Sequence, residues 1–503
     1  VRHAPHKLIP DSFTSLPSRT GVPATVQVVA APGDDLDAIG YGVPQNGDVP
    51  AGLGIDRAAL EGAGFTGRPG QSLIVPSGAA PFAVAVGIGD DDARGTAALR
   101  DAAATFARAA AHFGRIGLDI GTAFAVPASD AGRAITEGVL LARYSYDVLK
   151  TKPTTVPVEL LQIIEADGDR IADTQSGATA GITLAAAENL ARDLANTPPG
   201  HLTAVEYAET TMESAADFGL QVEVFDKAAL IELRAGGILG VNAGSVDEPR
   251  MIVIRYRPEN PTGHLALVGK GIMYDSGGIS LKPSDPMHLA MKMDMAGSAA
   301  VFGAMTALRD LGCTTAVSAW LMCTDNMPSG SATKLGDVLV ARNGTTVEVK
   351  NTDAEGRLVM MDALVLAAEE KPDAIVDIAT LTGAAMRALG HLCAVVLGNN
   401  QPLVDRVLAS AANTDEQACQ FPLEHRYRSW LDSDIADIGN LGGANAGATT
   451  AALFLSEFVD GVPWAHIDIA GTMQSDTEDF WRRKGATGYG TRLLADLAMN
   501  FAR

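Results

Sequence analysis

Two carboxylates one residue apart, Asp353 and Glu355, stand just ahead of Arg357 in the run Asn351-Thr352-Asp353-Ala354-Glu355-Gly356-Arg357-Leu358. In an extended or turning backbone, side chains at i and i+2 share a face, so both carboxylates can aim at one place. Like charges so placed repel and destabilise the fold unless a cation joins them. A solvated acidic loop is the plain alternative for such a pair, and the rest of the chain decides between the two. Asp275 stands in the glycine-rich run Gly269-Lys270-Gly271-Ile272-Met273-Tyr274-Asp275-Ser276-Gly277-Gly278, with Lys282 shortly after it. Asp294 lies between two methionines in Lys292-Met293-Asp294-Met295-Ala296-Gly297. Alone, Asp294 could cap the helix that follows, and each lysine alone could be a surface charge. Together, Asp275, Asp294, Asp353 and Glu355 balance two divalent cations, the ligand set of a two-metal site that holds a hydroxide. Beside such ions Lys270 would lose its proton and could ligate as a neutral amine. Lys282 could stay charged and polarise a substrate carbonyl. Arg357 cannot ligate a metal, but its fork suits a small planar anion or a carboxylate.

These groups are expected just beyond strand ends, where open parallel sheets present functional residues. Thr345–Val349 reads as a strand and Leu358–Ala368 as an apolar helix, with Gly356 as the hinge that lets the side chains converge. His264–Val268 reads as a strand opening into a glycine-rich loop, and Gly297–Leu311 as a helix. Further strands are expected at Gln221–Phe225, Arg250–Tyr256, Thr315–Cys323, Ala374–Ile378, Ala394–Leu397 and Trp464–Ile469, with helices between them. Upstream, shorter strands alternate with helices over Thr96–Phe113 and Asp130–Leu149, after an irregular arm at 1–22. The charged, turn-rich stretch Glu165–Ser176 closes that region, and a helix over Gly181–Asn196 is stopped by Thr197-Pro198-Pro199-Gly200. The expected organisation is α/β throughout. A smaller N-terminal α/β domain (1–180, with an assembly or regulatory role) is joined by a linker helix (181–200) to a larger C-terminal α/β catalytic domain (201–503) with a mainly parallel sheet.

The 503 residues, 47% of them hydrophobic, suffice for two or more large cores. A net charge of −22 disfavours nucleic acid and anionic membrane as partners. Four cysteines without a C-x-x-C pair indicate no disulfide framework and fit a reducing compartment. No secretory signal and no apolar run of about 18 residues is evident, so a cytoplasmic protein without a membrane helix is expected. None of the nine histidines falls in H-E-x-x-H, which argues against a zincin, and His466 is expected in the core or behind the ligands.

The segments VGKGIMYDSGGISLKP, KMDMAG and above all NTDAEGRL resemble the leucyl aminopeptidases, the dinuclear-metal cytosol aminopeptidase family. So do Asn189–Leu194, Ala379–Ala384 and Trp464–Thr472; the likeness covers the whole second domain and is loose in the first. The resemblance implies Lys270, Asp275, Asp294 and Glu355 as ligands of one metal, and Asp275, Asp353 (side chain and carbonyl) and Glu355 as ligands of the other. It implies Lys282 and Arg357 as the catalytic residues that are not ligands, with a bicarbonate proton shuttle held at Arg357. Met291, Thr380, Leu381, Gly383, Ala470 and Met473 would form the pocket for a leucine-like or methionine-like side chain. The implied reaction is hydrolysis of the first peptide bond of a peptide with a free N-terminus, by a hydroxide shared between zinc, manganese or magnesium ions. One ion would bind the free amino group, and the implied assembly is a homohexamer, a dimer of trimers. Three departures stand out: Tyr274 where phenylalanine is usual, Ala296 for glycine, and one extra residue between Pro283 and Asp294. Two other readings are a DNA-binding or scaffold role carried by the N-terminal domain, which the −22 charge opposes, and a hydrolase restricted to dipeptides such as cysteinylglycine.

Overall fold

Short β-branched segments and alanine-rich helices alternate through the first third of the chain and close into a six-stranded sheet. The computed structural model describes residues 3–4, 7–76, 80–90 and 94–501. The strands are β1 (Thr25–Val29), β2 (Ala38–Val43), β3 (Ser72–Val75), β4 (Phe82–Gly87), β5 (Arg115–Asp119) and β6 (Leu160–Ile164), in the order β1-β6-β5-β2-β4-β3. All pairs are parallel except β3 with β4. Helices α1 (Thr96–Ala109) and α2 (Ala128–Ala142) bury Phe106, Ile135 and Val139 with Leu118 of β5. This unit comprises Leu16–Asn189 and, from far along the chain, Asp476–Lys484. Trp481 of the returning segment is 1% exposed within the unit's core. Arg108 of α1 grips the same segment, donating from Nε to the Phe480 carbonyl (2.5 Å) and from Nη2 to the Arg482 carbonyl (2.6 Å).

Two expectations fail here. Helix α3 (Ile171–Asn196) starts inside the stretch expected as turns. Its polar residues are docking contacts: Gln175 accepts from Val28 N (2.9 Å) and donates to the Val26 carbonyl (3.4 Å). Of the arm expected at 1–22, residues 1, 2, 5 and 6 lie outside the described residues. His3–Ala4 and Lys7–Leu8 pair as two short antiparallel strands.

The second unit, Val1–Ser15 with Leu190–Ser475 and Gly485–Arg503, holds an eight-stranded sheet. Its strands are β7 (Gln221–Phe225), β8 (Arg250–Tyr256), β9 (His264–Asp275), β10 (Ala316–Asn326), β11 (Ala374–Ala379), β12 (Ala394–Gly398), β13 (Ala418–Gln420) and β14 (Trp464–Asp468). In the order β13-β12-β14-β11-β9-β10-β8-β7, the four central strands β14, β11, β9 and β10 are parallel, and antiparallel pairs lie towards both edges. The architecture is thus two α/β units with mixed, mainly parallel sheets. Helices α5 (Ala296–Ala307) and α6 (Glu355–Glu369) pack on the central strands and are almost wholly buried, as is a shorter helix α4 (Gly236–Asn242) in part. The central strands therefore read as nearly unbroken apolar runs. Among the described residues no helix is long and apolar enough to cross a membrane.

Candidate active site

Strand β9 does not stop at Val268; it runs through the glycines to Asp275, with a register shift between Ile272 and Asp275. The glycines serve close packing instead of a loop, since a Cβ at Gly269 would stand 2.6 Å from Ser298 Cα of α5. The turn comes afterwards, at Gly277 (φ +87°) and Gly278 (φ +63°), a conformation that glycine adopts without strain. Lys270 and Asp275 therefore sit on a rigid strand. Helix α6 likewise begins earlier than expected, at Glu355, so Gly356 is helical and no hinge. A Cβ there would lie 2.6 Å from Lys270 Cε, which is why the position carries no side chain.

The Lys270 ammonium, 3% exposed, donates to Asp294 Oδ1 and to the Thr380 carbonyl, both at 2.8 Å, and lies 2.8 Å from Glu355 Oε1. Lys282 joins the other two carboxylates, 2.8 Å from Asp275 Oδ2 and 2.5 Å from Asp353 Oδ1. Asp294 does not cap α5; its Oδ1 also accepts from Thr380 Oγ1 (2.6 Å). Asp275 Oδ1 accepts from Gly277 N (2.9 Å) and Asn326 Nδ2 (2.8 Å), and Asn326 also donates to the Thr352 carbonyl (2.9 Å). The Tyr274 hydroxyl takes no part in this; the ring stacks on His288 at 5.8 Å.

Two further residues hold the loops. Asn440 donates to the Asn351 carbonyl (2.7 Å) and accepts from Lys350 N (2.8 Å), fixing the entry to Asp353. Asp468, at the end of β14, accepts from the backbone of Leu381 (3.2 Å) and Thr382 (3.3 Å) and from Thr382 Oγ1 (2.6 Å). It thereby sets the start of α7 (Gly383–Leu389).

These elements enclose a cavity of about 330 Å³. Lys270, Asp275, Lys282, Asp294, Asp353 and Glu355 form its polar side, and Met291, Thr380, Leu381, Gly383, Ala470 and Met473 also line it. Arg357 does not. It is buried, with Nη1 donating to the Asn440 carbonyl (2.8 Å); burial pulls its pKa down to about 10 despite Glu355 and Asp468. His466 is also buried away from the cavity, with Nδ1 2.5 Å from Asp377 Oδ1. Residue types alone did not single out Asn326, Asn440 or Asp468, nor the lining residues Met287, Thr382, Met386 and Arg387. One available signal was an asparagine or aspartate closing an apolar strand, as Asn326 closes β10 and Asp468 closes β14.

Four carboxylates face two ammoniums, an excess of two negative charges in a largely buried site. Burial and mutual repulsion push the carboxyls of Asp275, Asp294 and Asp353 up, against the pull of the lysines. Burial acts to neutralise Lys270, but Asp294, Glu355 and Asp275 outweigh it and hold the ammonium charged. A neutral Lys270 therefore needs additional cations beside it. The donor set fits divalent ions. One oxygen each of Asp275, Asp353 and Glu355 lies within 4.8 Å of the others. Asp294 Oδ2 and Glu355 Oε2 are buried acceptors with no hydrogen-bond partner among the described residues, a costly arrangement unless a cation takes them up.

A wound α/β sheet with a carboxylate-rich cavity at its strand ends defines an enzyme of the α/β class. Residues 189–495 match the catalytic domain of the cytosol aminopeptidase family, and residues 54–153 match that family's N-terminal domain. A probable cytosol aminopeptidase of Streptomyces avermitilis is 43% identical, covering 94% of this chain and 98% of its own length. One from Solibacter usitatus is 42% identical over 86% and 88%. Among solved structures, the bottromycin maturation enzyme BotP superposes with a TM-score of 0.84 at 36% identity, over 92% of this chain and 99% of that one. BotP in complex with Mn superposes at 0.85. The chain belongs to the cytosol aminopeptidase family and is an aminopeptidase, a peptidase of the hydrolase class.

Proposed function

We propose that this aminopeptidase is metal-dependent and releases N-terminal, leucine-like residues from peptides. The observation that carries the proposal is the cluster of four carboxylates and two lysines on one side of the cavity, with orphaned buried oxygens on Asp294 and Glu355. Asp275, Asp294, Asp353 and Glu355, with Lys270, would hold two divalent ions, zinc, manganese or magnesium. When bound, such ions supply Lewis acidity and lower the pKa of a water molecule enough to make it a nucleophile near neutral pH.

The chain's own residues supply orientation and charge. Lys282, 18% exposed at the cavity, would polarise the scissile carbonyl and stabilise the charge that develops on its oxygen. Lys270 and Thr380 hold Asp294 in one orientation, and Asn326 does the same for Asp275. Met291, Met473, Ala470 and Leu381, with Thr380 and Gly383, offer an adaptable apolar wall for an aliphatic side chain. A bicarbonate beside Arg357 rests on one observation: its buried Nε has no hydrogen-bond partner among the described residues. The same reading brings a homohexamer, a cytoplasmic location and, for the N-terminal domain (1–180), an assembly or regulatory role, with 181–200 as linker and 201–503 as the catalytic part. Mass in solution tests the assembly.

The experiment for the activity is hydrolysis of leucine p-nitroanilide before and after chelation, then after adding back manganese or zinc. Loss followed by recovery is expected. Activity that survives complete chelation refutes the metal-dependent reading.

A further inference from the structure

The cations of the cavity are not alike. Lys270 and Lys282 are spent on carboxylates, whereas Arg387, which lines the same cavity, forms no ion pair or hydrogen bond among the described residues. It lies on α7, where Gly383, Met386 and Arg387 all line the cavity. The spacing i, i+3, i+4 makes these three one helix face. Helical side chains lean towards the N-terminus, so Arg387 reaches back over the bare Gly383. Its Nη1 lies 3.1 Å from where a Cβ at 383 would stand. The result is an exposed guanidinium, beside the flexible apolar Met386, with its donor fork uncommitted. An arginine fork in that state matches a carboxylate in shape and charge better than any neutral group.

We propose that Arg387 is a specificity determinant that binds a carboxylate of the peptide substrate. The proposal rests on the exopeptidase reading above and narrows it. A carboxylate reaches this wall from one of two sources: the C-terminus of a short peptide, or the acidic side chain of its first residue. In either case the substrate's anion replaces water on the guanidinium and contributes binding that a neutral analogue lacks.

Two substrate pairs separate the sources. Leu-Gly against Leu-glycinamide reports on the C-terminal carboxylate, and glutamate p-nitroanilide against glutamine p-nitroanilide reports on the side chain. For each pair the ratio of kcat/KM is measured in the metal-loaded wild-type enzyme and in the Arg387→Met and Arg387→Lys variants. Methionine keeps the apolar stem and removes the charge. One ratio is expected to fall about tenfold in Arg387→Met, the low end for a charge-assisted hydrogen bond at an exposed site. Arg387→Lys, with a point charge but no fork, should fall between. The pair that responds identifies the source. Each ratio is internal to one protein, so a general loss of folding or turnover does not imitate the effect. Hydrolysis with both ratios unchanged in Arg387→Met overturns this inference alone. If the wild-type enzyme hydrolyses none of the four, the proposed release of leucine-like N-terminal residues falls, and the inference with it.

Discussion

Replacing Gly356 by alanine sets two rules against each other. Position 356 lies in the first turn of α6, where helix propensity favours alanine by about 1 kcal/mol. The new Cβ would stand 2.6 Å from Lys270 Cε and 2.8 Å from its Nζ, whereas ordinary contact begins at 3.4 Å. To regain ordinary contact the lysine must therefore retreat by 0.8 Å, the difference between 3.4 and 2.6 Å. It has little room, being 3% exposed and bonded at 2.8 Å to Asp294 and the Thr380 carbonyl. Overpacking costs about 1–3 kcal/mol, and a weakened charged hydrogen bond costs about 1.5–3 kcal/mol. Set against the propensity gain, Gly356→Ala should destabilise the protein by about 1.5–5 kcal/mol, read from urea unfolding. A shift of this size in a group that orients two carboxylates should lower kcat on leucine p-nitroanilide about a hundredfold. A variant that is more stable by about 1 kcal/mol, with kcat unchanged, would refute the argument and show that Lys270 has slack.

Two further expectations follow from buried polar groups. Asn326→Ala removes the donor to Asp275 and should weaken manganese binding about 10- to 100-fold by calorimetric titration; unchanged affinity would mean that Asp275 is held without it. Asp362 accepts from Gly237 N (2.8 Å) and Arg342 N (2.9 Å), yet burial outweighs these donors and raises its pKa to about 7. The folded chain then holds this proton more tightly than the unfolded chain, where the group titrates near about 3.9. Its stabilising share is complete below about pH 4 and is lost as pH rises through about 7, up to about 4 kcal/mol. The gap in unfolding free energy between wild type and Asp362→Asn should therefore shift in favour of the variant from pH 4.5 to about 8. A gap that is flat with pH would place the titration elsewhere.

Charge arithmetic made much of this site legible in the sequence. Asp275, Asp294, Asp353 and Glu355 together carry the charge to balance two divalent cations if they converge, and they do line one cavity. The central strands were legible too, because burial on both faces leaves long apolar runs. Glycine was misread twice. Sequence assigns Gly269 to a loop and Gly356 to a hinge, but both mark places where another part of the chain passes within contact distance, which only three dimensions reveal. Helix α3 was misjudged at its start because Gln175 and its neighbours have the composition of a loop while making the contacts of a docked helix. Asn440 and Asp468 work through backbone groups some ninety positions away in sequence, as Asn440 does on Asn351 and Asp468 on Leu381, and no local pattern announces such pairings.

The segment Asp476–Lys484 gives the first unit a particular history during synthesis. A chain leaves the ribosome N-terminus first, at about 5–20 residues per second. The strands and helices of this unit are all translated by Asn189, but Trp481, part of its core, follows roughly 15 to 60 seconds later at those rates. Until then the core lacks the Trp481 ring, and the carbonyls that Arg108 will grip do not yet exist. The core of the nascent unit is thus incomplete until that segment is made. A message cut short before the codon for Trp481 would yield a first unit whose core lacks that ring.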